Sequence, residues 1–331
     1  MPTITILGAG ITALSTAYTL PKSHRLKILA SNLPGDLPSS QNWASPHACA
    51  GWVALGGLSP LEQQMQLDSL HFLRQLSLAN PESGVRTALL TDIHEDPPVN
   101  GIWYKNRVPG YTESLNKDGG ITTKYESLVI DPSKFLVWLR TELEKQGTVF
   151  ERVEKVESLS ELSGVATDVV INASGLGSRE LIDVKDENVV GDRTYTVRVE
   201  TEFKEMFVRR GKGGKYTYVF GRGDGTAVLG GISVPVEEEV KGLEEVRGEI
   251  IGRVHENLPE YFPSADPKEY NVLEDLVGIR PLRFAGVRVE KEMIGDQKVV
   301  HAYGTTIGGY IHSFGLARQV AKLVDDFVFE L

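Results

Sequence analysis

Along the chain the spacing of apolar positions changes character several times, and each change predicts an element. Residues 3–7 alternate and are β-branched, which predicts a short buried strand. The turn Gly8-Ala9-Gly10-Ile11-Thr12-Ala13 follows at once. Residues 14–20 then carry helical spacing, and residues 26–29 read as a second strand after a basic turn. Residues 60–78 and 133–146 predict helices; in the second, Phe135, Leu136, Trp138, Leu139 and Leu143 fall on one side. Asp131 or Ser133 is placed to cap that helix and Gly147 to close it. Residues 149–156 and 168–172 predict strands, the second an apolar run of the kind found in parallel sheets covered on both faces.

From residue 193 the period shortens to two. Residues 193–200, 205–210, 215–220 and 226–232 alternate between glycine-rich turns, the mark of an antiparallel sheet. A charged helix over 236–257, a strand over 299–303, a glycine loop over 304–309 and a helix over 314–327 complete the pattern. Residues 84–125 read as strand and turn material with Trp103, Tyr104, Tyr111 and Tyr125. Residues 33–57, rich in Gly, Pro, Ser and Ala, form a long loop of the kind that carries function. The class expected is α/β plus α+β. A Rossmann-like domain in three pieces (1–80, 128–190 and 272–331) holds an inserted antiparallel-sheet domain (81–127 and 191–271).

Composition narrows the function. A chain of 331 residues with 41% hydrophobic and 24% charged positions has an ordinary globular make-up, which excludes a disordered or fibrous protein. The single cysteine, Cys49, excludes an internal disulfide framework and a cysteine-rich zinc site, and no metal is expected. The 35 basic and 45 acidic residues give a net charge of −10, which argues against nucleic acid or anionic membrane as partner. No apolar stretch reaches the ~18 residues of a membrane span. The apolar N-terminus lacks a basic leader, and the chain ends Phe329-Glu330-Leu331 where a peroxisomal address needs something like Ser-Lys-Leu. The expectation is a cytoplasmic protein, with a peroxisomal one and a homo-oligomer both left open.

Strand, glycine turn, helix, strand is the context a dinucleotide-binding fingerprint requires. Gly8 permits the tight turn, Gly10 lets a pyrophosphate approach the helix N-terminus, and Ala13 takes the packing position. The second strand runs into Ala30-Ser31-Asn32, so no acidic residue is offered to a ribose there. The motif alone does not separate FAD from NAD.

Several further stretches together resemble the D-amino-acid oxidase family, flavoenzymes that dehydrogenate D-amino acids. They are Ser39-Ser40-Gln41-Asn42-Trp43-Ala44-Ser45-Pro46 with Ala48-Cys49-Ala50-Gly51-Trp52, and Val170-Ile171-Asn172-Ala173-Ser174-Gly175-Leu176-Gly177. Gly278-Ile279-Arg280-Pro281-Leu282-Arg283 and the stretch from Val300 to Ala317 add to them. Order and spacing hold along nearly the whole chain. The sequence departs from the family pattern at Cys49, where fungal relatives tend to carry Gly, and over residues 84–125, which are shorter and diverged.

The resemblance implies an FAD-dependent enzyme that oxidatively deaminates D-amino acids to 2-oxo acids, ammonia and H2O2, with O2 as the second substrate. It implies that Gly8, Gly10 and Ile11 hold the pyrophosphate, and that Ser31 and Asn32 lie near the adenosine ribose. Ser39, Ser40 and Gln41 are implied as further FAD contacts, and Ala48, Cys49 and Ala50 as the lining of the flavin ring. Gly175 and Gly177 pass close to the cofactor on this reading, and the loop Gly308-Gly309-Tyr310-Ile311 aims backbone donors at flavin O2. Arg280 is the implied carboxylate anchor and Tyr218 the active-site tyrosine that meets the substrate amine; Tyr216 is expected on the opposite face of the same strand only if the strand is regular there. The resemblance further implies that hydride passes from Cα to flavin N5 by positioning, without a side-chain base.

Arg209 and Arg210 stand roughly where D-aspartate-specific relatives carry an arginine for the second carboxylate. The further arginine of those relatives is replaced here by Ile232-Ser233-Val234. Neutral side chains are therefore expected. A D-aspartate or D-glutamate oxidase, a glycine or sarcosine-type amine oxidase, and a non-catalytic flavin-binding protein are the alternatives.

Overall fold

The computed structural model describes residues 1–36, 40–56, 59–164, 167–238 and 242–329. In chain order the main elements begin with β1 (Thr3–Leu7), α1 (Ile11–Thr19), β2 (Arg25–Ala30), α2 (Pro60–Ala79), β3 (Val85–His94), β4 (Thr112–Leu115) and β5 (Ile121–Ile130). Next come α3 (Pro132–Lys145), β6 (Val149–Arg152), β7 (Val169–Asn172), β8 (Val189–Glu200), β9 (Met206–Arg210), β10 (Tyr216–Gly221) and β11 (Thr226–Pro235). The chain closes with α4 (Leu243–Asn257), β12 (Val272–Arg283), β13 (Arg288–Ile294), β14 (Gln297–Tyr303) and α5 (Gly309–Phe329).

Two sheets divide these strands. The first has six, in the order β13-β14-β7-β1-β2-β6. Five run parallel, and β13 closes the edge antiparallel to β14. Its central strands β1 and β7 are buried almost throughout, because helices cover them. Helix α5 packs on α1 and α2, with Phe314 stacked on Phe72 at 3.9 Å between ring centres. From β1 the chain steps outward through β2 and β6, then returns to the other side of β1 at β7. The crevice between β1 and β7 is thus a topological switch point, where open α/β sheets bind ligands.

The second sheet has eight strands, in the order β12-β8-β11-β10-β9-β3-β5-β4. All its pairs are antiparallel except β3 with β9. Period-two alternation sorts its faces. Tyr195, Val197, Val219 and Leu229 pack under α4 with Val246, Ile250, Ile251 and Val254, while Thr194, Thr196, Tyr216, Tyr218 and Phe220 face a large cavity.

Most expected elements appear, with corrections at their ends. The charged helix expected from residue 236 starts at Leu243, because Pro235 ends β11 and residues 236–238 turn away from it. The strand expected over 149–156 stops at Arg152. The closing helix begins at Gly309, five residues earlier than expected, since burial of Tyr310 and Ile311 draws Gly309 into its first turn. Strands β12 and β13 were not anticipated; their burial is mixed, without the clean alternation that marks a strand. Because β12 belongs to the eight-stranded sheet, we keep the two-domain division as a proposal and place Val272–Arg283 on the inserted side of it.

The α2–α5 contact supplies a stability test. A Cβ on Gly315 would lie 1.9 Å from the backbone oxygen of Met65, so the helices touch through bare backbone. Gly315→Ala gains about 1 kcal/mol of helix propensity but overpacks a rigid contact at a cost of ~1–3 kcal/mol or more. The clash wins, and the expected outcome is a lower melting temperature in a calorimetric scan.

Candidate active site

One cavity of about 620 Å3 runs along the switch point and under the open face of the second sheet. That size lies within the range of cofactor sites. Its floor is the Gly8 turn. Gly8 has φ +109°, and a Cβ there would lie 2.4 Å from the carbonyl oxygen of Ala173, at the end of the neighbouring strand. No side chain fits between the two turns, so the backbones meet directly. Gly10 precedes α1 with no side-chain cap, and Ile11 N–H donates to Ser45 Oγ at 3.0 Å. Tyr310 Oη donates to the Ser45 carbonyl at 2.9 Å, so Ser45 ties the start of α1 to the start of α5.

Fifteen of the expected site residues line this cavity: Gly8, Gly10, Ile11, Ser31, Asn32, Ala48, Cys49, Ala50, Gly175, Gly177, Gly309, Tyr310, Ile311, Tyr218 and Arg280. Gly309, Tyr310 and Ile311 form the first turn of the 21-residue α5 rather than a loop. Their N–H groups lie where a helix lacks internal acceptors and favours negative charge. Ser39 lies outside the described residues. Ser40, Gln41 and Gly308 do not line the cavity. The Ser40 carbonyl faces His47 Nε2 at 3.1 Å and the Gln41 carbonyl accepts from Ile279 N–H at 2.8 Å, so both brace the long loop. Gly308 N–H is turned to Thr305 O.

The far end of the cavity from the Gly8 turn lies under β8, β10 and β12. Tyr218 stands opposite Gly230 on β11, and a Cβ on Gly230 would lie 2.2 Å from its ring, so the glycine pair makes room for the tyrosine. Residues two apart on a strand share a face. Tyr216 therefore joins Tyr218 in the cavity wall, 5.4 Å between ring centres, which corrects its expected turn away. Burial pushes the Tyr216 hydroxyl up to about 12 and that of Tyr218 well above its ordinary value, so both stay protonated donors. Burial likewise pushes the Cys49 thiol up to about 12, which leaves it a small apolar wall.

Arg280 pairs with Asp192, its register partner on β8. Its Nε is buried with no partner among the described residues, as are Thr196 Oγ1 and Trp43 Nε1, all three in residues that line the cavity. Buried polar atoms are seldom left unpaired, so such a cavity is built to receive a polar molecule. Ala50 and Thr306, also in its wall, hold left-handed φ of 46° and 48°, a strain that clusters at ligand sites. Sequence reasoning missed Asp192, Thr194, Thr196, Ser45 and Thr306. Ser45 sat inside a quoted motif, whereas nothing local marked the others.

Arg209 and Arg210 do not reach the cavity. Arg210 grips the fully buried Asp92 through Nε at 3.0 Å and Nη2 at 2.9 Å, and Arg209 Nε donates to Glu95 at 2.6 Å. Arg210 and His94 hold the Asp92 carboxyl below its ordinary range against its burial. Among the described residues no group of three or more His, Cys, Asp or Glu could hold a metal, and no helix is long and apolar enough to cross a membrane.

The glycine turn without a side chain, two helix N-termini at one cavity and unpaired donors in its wall suit a long anionic dinucleotide. The profile of the family described as FAD dependent oxidoreductase matches residues 3–323, and the chain belongs to that family. It is a flavoenzyme fold, and FAD is its cofactor. Similar curated proteins are a D-amino-acid oxidase of Fusarium vanettenii, 28% identical over 98% of this chain and 96% of the relative, and a D-aspartate oxidase of Talaromyces thermophilus, 29% identical over 98% and 95%. Among solved structures, glycine oxidase from Geobacillus kaustophilus superposes with a TM-score of 0.74 at 16% identity, covering 98% of this chain and 95% of that one. The resemblance read from the motifs is thereby borne out.

Two variants separate structure from ligand binding here. Gly8→Ala forces a Cβ against Ala173 O and strains φ by ~1–3 kcal/mol, so FAD affinity should fall at least about tenfold in a flavin-fluorescence titration of the apoprotein. Arg210→Met strands the buried Asp92 charge and should cost ~3–5 kcal/mol in a denaturant titration. It should leave the ratio of turnover on acidic and neutral substrates unchanged.

Proposed function

We propose that this enzyme oxidatively deaminates D-amino acids with neutral side chains, giving the 2-oxo acid, ammonia and H2O2, with O2 as the second substrate. The observation that carries the reading is Arg280. It is a cation at the substrate end of the cavity, with one edge tied to Asp192 and Nε left without a partner. A guanidinium presents five donors in a planar fork, so the edge not used by Asp192 is free to take an α-carboxylate. The ion pair holds the fork in place, and less rotamer freedom is lost when substrate binds.

Bound FAD supplies the acceptor for the hydride that leaves Cα. The protein's own part is positional. Gly8, Gly10 and Ile11 would hold the pyrophosphate, Ser31 and Asn32 the ribose, and Ala48, Cys49 and Ala50 the flavin ring. Ser40, Gln41 and Gly308 would support those contacts from behind, through the loop and the start of α5. The N-terminal amides of α5 would favour negative charge next to the ring. Arg280 fixes the substrate by its carboxylate, and Tyr218, a neutral phenol, hydrogen-bonds at the amine. Tyr216, Thr194 and Thr196 wall the side-chain space. Besides Arg280, the basic side chains in the lining are His47, held near Ser40 O, and Lys155, paired with Glu180 and Glu157. Neither arginine expected for a second carboxylate is present, which favours neutral side chains over acidic ones.

Arg280→Ala should raise KM for D-alanine and D-methionine by about 10²-fold or more, the scale of removing one member of a buried charge pair, while the purified protein stays yellow. An unchanged KM removes Arg280 from the site. A stopped-flow panel of D-Ala, D-Met, D-Phe, D-Asp, D-Glu, glycine and sarcosine, read as anaerobic flavin bleaching, tests the substrate class. Faster bleaching by D-Asp or by sarcosine overturns the neutral D-amino acid reading.

A further inference from the structure

A chain of buried side chains runs from the cavity wall to the surface behind the Ser174 turn. Asn172, the last residue of β7, is fully buried. Its Oδ1 accepts from Ser174 N–H at 3.2 Å and from Ser174 Oγ at 2.7 Å, capping the turn that carries Gly175 into the cavity. The same turn supplies the Ala173 carbonyl on which Gly8 rests. With Oδ1 engaged by two donors, the other end of the amide is a donor, Nδ2, which lies 3.2 Å from His301 Nδ1. That nitrogen must therefore accept, and the ring proton sits on Nε2, facing Glu292 Oε2 at 2.8 Å. His301 is fully buried on β14. It is faced by Asn172 on β7, by Glu290, Glu292 and Arg288 on β13, and by the edge-on ring of Tyr303. Burial and the Arg288 charge keep it neutral below the usual histidine range.

We propose that His301 is a positioning residue for FAD: its neutral, Nε2-protonated ring fixes the rotamer of Asn172, which holds the Ser174-Gly175 turn in its cofactor-binding shape, so that FAD affinity falls when the ring is protonated. A protonated ring would set its Nδ1–H against the Asn172 NH2, donor against donor. Turning the amide relieves that clash but presents NH2 to Ser174 N–H, which cannot accept. The turn then loses its cap, and a lost buried hydrogen bond of this kind weakens binding roughly tenfold to hundredfold.

The test is the Kd of the apoprotein for FAD, read by flavin fluorescence from pH 8 to pH 5, with circular dichroism confirming the fold throughout. The wild-type Kd should rise about tenfold or more as pH falls through and below the histidine range. Glu292→Gln, at a half-exposed position, keeps an acceptor for Nε2–H but removes the charge that favours the protonated ring, so the acid limb moves to lower pH. Asn172→Asp offers a carboxylate that accepts from both Ser174 and a protonated ring, so its Kd should improve as pH falls. A wild-type Kd flat across this range, or an acid limb unmoved in Glu292→Gln, overturns the proposal. A residue that merely packs would alter stability without shifting this pH profile. Should Asn172→Asp fail to fold, the Glu292→Gln limb decides alone.

Discussion

The cavity at the switch point depends on one backbone contact. Gly8 rests against the carbonyl of Ala173 so closely that even a methyl group would lie 2.4 Å from oxygen. That contact locks two glycine turns from opposite sides of the switch point into one floor. It binds together β1 and β7, which are 162 or more residues apart in the chain yet paired in register from Ile4 with Val169. Everything a dinucleotide needs follows from it: exposed amides at the head of α1, a turn at the end of β7, and no side chain in the way.

Over that floor the second sheet is a two-faced plate. Its alternation sends valines and leucines under α4 and sends Tyr216, Tyr218, Thr194 and Thr196 toward the cavity. Arg280 enters from the edge strand β12 and is tethered by Asp192 across the β8 ladder. The tether has a cost, since a carboxylate next to Arg280 opposes the approach of a second one. It also stops the guanidinium from wandering. Arg209 and Arg210 illustrate the opposite use of the same side chain: their partners Glu95 and Asp92 consume the charge in holding β9 to β3.

Much of the first sheet was legible in the chain because its signals are local. The β-branched run of residues 3–7, the glycines after it and the apolar run ending at Asn172 each mark their own structure. Helix α2 opens with a reciprocal cap between Ser59 and Glu62, and α3 with Asp131, so both starts are readable within four residues. The misses share a cause. Strands β12 and β13 have mixed exposure, and their pairing with β8 and β14 is settled by neighbours far along the chain. The start of α5 at Gly309 was set by the burial of Tyr310 and Ile311, against the low helix propensity of glycine.

By itself, the order of residues determined the class of fold and the glycine turn of dinucleotide type, because each rests on short motifs with their own stereochemistry, while the family resemblance brought Arg280 forward as an expectation. Only the tertiary structure decided which of three arginines faces the cavity, that Tyr216 stands beside Tyr218, that Asp192 pairs with Arg280, and that Asn172 links the Ser174 turn to His301. Those outcomes depend on strand register and on burial, which join residues separated by tens to hundreds of positions, and no local spacing encodes them.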